Sequence, residues 1–182
     1  MKRLFVLATM LVAAISLSAQ TPHPVKSPAA VESATIGGKS LTIHYASPHL
    51  NGRTGHVFTK DGLISHDPTY PIWRAGANAA TTLHTDAALS FDGLAVPAGT
   101  YTLFVDLSDA DNWVLIVNKQ TGQWGTDYDK AQDLGRIKLT TTKSAQTVQN
   151  LKFTLTSKGN MAGTLTLAWE NVTASAAFTL HQ

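Results

Sequence analysis

Every second residue is apolar in one short segment after another, and that period of two decides the fold class. Leu41, Ile43 and Tyr45 share one side of 41–45, and Tyr101, Leu103, Val105 and Leu107 share one side of 100–107. Ile137 with Leu139, then Leu151, Phe153 and Leu155, then Leu165, Leu167 and Trp169, repeat the pattern, and 172–180 completes it. Segment 81–91 reads as one or two further strands. Segment 113–117 is apolar on both faces, which predicts a central strand covered on both sides. Asp92-Gly93, Pro97-Ala98-Gly99 and the polar run 109–112 punctuate the strands as turns. About nine short strands at spacings of roughly 8–12 residues predict an all-β protein. The expected architecture is a single antiparallel β-sandwich, with jelly-roll-like or transthyretin-like topology left open. Helical character is confined to a turn or two at 130–134 and in part of 54–66.

The chain opens with Met1-Lys2-Arg3, an apolar run from Leu4 to Leu17, and Ser18-Ala19-Gln20. A basic start, an apolar stretch too short for a comfortable membrane span and a small residue at the cut read as a secretory signal peptide over 1–19. Residues 20–30 carry Pro22, Pro24 and Pro28 and read as a linker or arm, which leaves 31–182 as the sandwich domain. Export predicts a periplasmic or secreted protein with no stable membrane anchor after cleavage.

Charge narrows the partners. Of fourteen Lys and Arg residues, Lys2 and Arg3 leave with the leader, so twelve basic side chains face twelve acidic ones. No concentrated basic footprint remains, so nucleic acid is not an expected partner. The chain has no cysteine, which excludes disulfides, thiolate metal sites and a lipidated cysteine. Its seven histidines show neither His-x-His nor His-Glu-x-x-His spacing, so no metal is expected. No nucleophile elbow or phosphate loop appears, so neither a catalytic residue nor a cofactor is assigned.

The densest chemistry lies in Pro71-Ile72-Trp73-Arg74-Ala75-Gly76-Ala77-Asn78-Ala79-Ala80-Thr81-Thr82. As a pocket, Arg74 offers a planar donor fork, Trp73 a flat apolar face, and Asn78 and Thr81 polar contacts. As structure, Arg74 and Asn78 tie down the backbone of the long irregular insert 47–70. Arg53, in that insert, either joins Arg74 at an anion site or is a solvated loop residue. Trp124 and Tyr128, near Asp127 and Asp129, form an acidic and aromatic cluster that either stacks a sugar or decorates a loop.

Trp73-Arg74-x-Gly76-Ala77-Asn78-x-x-Thr81 resembles the signature of a bacterial exported domain-of-unknown-function (DUF) family, numbered twenty-nine eleven. Ser27-Pro28, Tyr45-x-x-Pro48, Gly52-Arg53, the 97–104 turn and strand, Trp113, Asn118-Lys119, Trp124-Gly125, Tyr128 and Leu167-x-Trp169-Glu170 fall in the family's order. The resemblance spans roughly 27–180 and implies an exported all-β domain without assigned activity. The family often carries an acid just after the asparagine, where this chain has Ala79. The expected function is a non-enzymatic binding or accessory module of the cell envelope that recognises a small polar molecule, a saccharide or an anion. The alternatives are a hydrolase using Arg74, Asn78 and a histidine of the insert, or a purely structural or interaction domain.

Overall fold

A computed structural model describes residues 26–181, so the expected leader and most of the arm lie outside the described residues. Eleven strands follow one another: β1 Ala29–Ile36, β2 Lys39–Ala46, β3 Ile72–Trp73, β4 Thr81–Thr85, β5 Ala88–Phe91, β6 Leu94–Val96, β7 Gly99–Asp106, β8 Val114–Asn118, β9 Asp133–Lys138, β10 Thr140–Ser157 and β11 Ala162–His181. They form a seven-stranded sheet in the order β1-β2-β4-β7-β8-β9, with β3 on β7, and a four-stranded sheet β10-β11-β5-β6. Every pairing is antiparallel. The two sheets pack as a sandwich.

The alternation seen in the sequence is what the sheets bury. Leu41, Ile43, Leu83, Leu103 and Val105 turn inward from one sheet, and Phe153, Leu165, Leu167 and Trp169 meet them from the other. Asp92 and Gly93, at φ 44° and 87°, make the two-residue turn that returns β5 to β6. Gly37-Gly38 does the same between β1 and β2, again with both φ values positive.

Segment 113–117 is indeed central. Leu115 and Val117 face the main core, while Ile116 and its cross-strand partner Phe104 are fully buried on the opposite face. That second face is covered by the 119–132 connection. Tyr128 packs edge-on against Phe104 at 5.0 Å. The buried Asn118 amide ties the connection down, donating to the Asp129 carbonyl at 2.9 Å and accepting from the Gln120 amide at 2.9 Å.

Two boundaries differ from the sequence expectation. β1 begins at Ala29, inside the stretch expected to be linker, because Ala29 and Ala30 pair with Ala46 and Tyr45. Segments expected as separate strands fuse into the long β10 and β11. These bend together where the β10 register shifts between Lys143 and Lys152, and where Glu170 takes φ 54°. Two single-turn 3-10 helices, Ile64–His66 and Lys130–Gln132, fall where helical character was expected.

An unpaired edge strand exposes a row of amides that invites association. Here the first sheet and the start of the 47–70 insert cap the β10 edge. Leu151 N–H donates to the Pro48 carbonyl at 3.0 Å, Phe153 N–H to the Tyr45 hydroxyl at 3.4 Å and Leu155 N–H to the Glu32 carboxylate at 3.0 Å. Burial, more than the Phe153 bond opposes, pushes the Tyr45 phenol above its ordinary range. Removing one such cap strands a donor at the sheet edge. Glu32→Ala is expected to lower the unfolding free energy in urea by ~1 kcal/mol and to speed exchange of the Leu155 amide. An unchanged midpoint and exchange rate would remove the capping role.

Candidate functional site

The insert 47–70 is irregular but not loose, because it contributes Leu50, Val57 and Ile64 to the core. Phe58 drives it into an aromatic cluster. Trp73 of β3 and Trp169 of β11 stack at 6.0 Å, and Phe58 meets their edges at 5.5 and 5.8 Å and Trp113 at 4.8 Å. One side chain of the insert thus locks onto a tryptophan from each sheet.

The residue after each stacked tryptophan holds the insert's polar groups. Arg74 donates from Nη2 to Asp67 Oδ2 at 2.6 Å, and both side chains are nearly buried. The other Asp67 oxygen accepts from the Thr69 amide at 3.2 Å and hydroxyl at 2.9 Å. Arg74 also reaches the Asn78 carbonyl, at 3.4 Å. Glu170, 4% exposed, accepts from the amides of Gly55 at 2.5 Å and Val57 at 3.3 Å. Such charge-assisted bonds to backbone amides offset the cost of burying a carboxylate.

Between the insert and the signature turn lies a cleft of ≈ 400 Å³. Its wall includes Arg53, His66, Asp67, Arg74, Asn78 and Trp169, and Lys26 stands at it too. Three cations therefore face a single carboxylate. Arg53 donates from Nη2 to the His49 carbonyl at 2.8 Å, while its Nε is buried without an acceptor among the described residues. The indole N–H of Trp169 is likewise buried and unpartnered. His66 Nδ1 lies 2.7 Å from the Gly62 carbonyl, an acceptor, so that nitrogen carries a hydrogen.

The structure brings Arg53, Arg74 and Asn78 to one cleft and sends the other expected residues elsewhere. Trp73 is fully buried in the aromatic cluster and is absent from the cleft wall. Its neighbour in the stack, Trp169, takes that place. Thr81 is fully buried, its hydroxyl donating to the Ala75 carbonyl at 3.1 Å. Trp124 stays 53% exposed and bridges to Ala79 outside the cleft wall. Gly125 beside it is a close-approach position, since a Cβ there would sit 2.3 Å from Arg74 Cδ and 2.7 Å from the Asn78 carbonyl oxygen.

Tyr128 belongs to the outer face. It donates to Asp133 at 2.8 Å and accepts from Arg136 at 2.9 Å. Burial first, then the Asp133 hydrogen bond and charge, push its phenol up to about 12. Sequence reasoning missed Asp67, Phe58 and the capping role of Glu170, and it expected a histidine of the insert at the site without singling out His66. Glu170 was the findable one, as one of only two glutamates and the neighbour of Trp169 in a family motif.

A family model described as a protein of unknown function, DUF2911, matches residues 27–178. No curated protein and no solved structure matches the chain. Because Arg74 and Asp67 are a nearly buried pair, removing either leaves the other uncompensated. Arg74→Ala is expected to cost roughly 3 kcal/mol in denaturant unfolding, far above an exposed ion pair. A loss near zero would make the pair incidental.

Proposed function

We propose that this chain, which belongs to the DUF2911 family, is an exported, non-catalytic binding module of the cell envelope whose cleft takes a small anion. The observation that carries the reading is the cleft's imbalance of charge and donors. Lys26, Arg53 and Arg74 outnumber Asp67 in the wall, and Arg53 Nε and Trp169 Nε1 have no acceptor among the described residues. Arg74 is engaged by Asp67, so ligand contact falls on Arg53, with Asn78 and the His66 imidazole beside it. A carboxylate suits this set, since its two oxygens match the planar donor fork of a guanidinium. A saccharide suits it less, because Trp124 and Tyr128 stand outside the cleft and provide no stacking face there. Both oxygens of Asp67 are occupied within the protein, which disfavours it as a general base.

Thermal melting of the mature protein with malonate, citrate, phosphate and neutral sugars tests the reading. A carboxylate at ~100 times its dissociation constant should raise Tm by roughly 5–10 °C. Arg53→Ala should keep its own fold and lose that increment. Sugars alone raising Tm, no anion doing so, or an undiminished response in Arg53→Ala would each overturn it.

A further inference from the structure

On the far side of the insert lies a second cleft, of ≈ 380 Å³, with different chemistry. Its wall holds Phe58, Ile64, Tyr70, Leu107 and Trp113, with Lys60 among them. Ile64 belongs to both cleft walls, so the 3-10 turn Ile64–His66 is a partition between them. From this second cleft we infer a binding site for a small aromatic carboxylate, distinct from the Arg53 cleft.

Three observations carry the assignment. The first is the aromatic lining. Phe58 and Trp113 meet at 4.8 Å, and with Trp113 buried it is the partly buried Phe58 ring that offers a ligand ring an edge or offset face. The second is Tyr70, which remains 47% exposed at this cleft although its backbone is fixed. Its amide donates to the Asp67 carbonyl at 2.9 Å, and the next residue, Pro71, accepts from the Leu107 amide at 2.9 Å. A large ring held in water by an anchored backbone is available to cover a ligand.

The third is charge. Lys60 is the one ionised side chain in this wall, and it forms no ion pair among the described residues. Arg74 in the other cleft is neutralised by Asp67, whereas here no carboxylate lines the wall. A ring in the aromatic pocket with an acid group for Lys60 satisfies both halves of the site. A cleft of this size, near the lower end for ligand sites, suits a ligand of one ring.

Benzoate, benzyl alcohol and acetate serve as probes in amide chemical-shift titrations of the mature protein. Benzoate should saturate with a dissociation constant on the order of 1 mM, shifting the amides of Lys60, Tyr70 and Ala110. Benzyl alcohol should bind more weakly, and acetate should leave those amides unmoved. Lys60→Met should weaken benzoate about threefold and leave benzyl alcohol unchanged. Tyr70→Ala should weaken both, and Arg53→Ala neither. Saturable benzoate shifts that map to the Arg53 cleft alone, with none at Lys60, Tyr70 and Ala110, would overturn the assignment. So would no saturation at all, or equal benzoate binding by Lys60→Met. The Arg53→Ala arm separates failure here from failure of the anion cleft.

Discussion

Two dipeptides, Trp73-Arg74 and Trp169-Glu170, hold the rest of the architecture in place. Each sends its indole into the stack between the sheets and uses the next side chain on the insert. The cation takes the insert's carboxylate, and the anion takes two of its amides. Phe58 fills the space between the two anchors. Hydrophobic stacking alone has no direction; the paired polar bonds give the insert one position. Both clefts are walled by that insert, so their shapes depend on the same clamp.

This arrangement bears on both readings of the signature. Arg74 is structural in its bonding, yet it borders a cleft in which the proposed ligand contact falls on Arg53. The family-motif residues of 118–128 serve the outer face of the larger sheet. Asn118 pins the connection, Gly125 lets it approach Arg74, and Tyr128 covers Phe104. The signature is thus the point where the connection, the insert and both sheets converge.

The sandwich was legible because alternation is a local signal: Leu41 and Ile43, or Leu165 and Leu167, declare their buried face without reference to any partner. Segment 113–117 declared its central place by being apolar on both sides. Family membership was legible from the signature and the ordered motifs after it. The insert's contacts were not legible, since Asp67 meets Arg74 and Gly55 meets Glu170 only after long-range folding. Fusion of the last segments into β10 and β11 escaped for a related reason. A bend absorbed by a register shift and a positive-φ glutamate looks like a break in the pattern. Trp73 and Trp169 are both apolar and large, and nothing in the spacing distinguishes the one that reaches the cleft wall.

The clamp is tested most directly by native-state hydrogen exchange in Glu170→Ala. The account predicts that Gly55 and Val57 amides lose protection by at least about tenfold, as a charge-assisted bond of ~1.5 kcal/mol or more implies. Amides of Leu103 and Leu115 in the larger sheet should keep theirs. Unchanged protection at Gly55 and Val57 would contradict it, as would a uniform loss across both sheets.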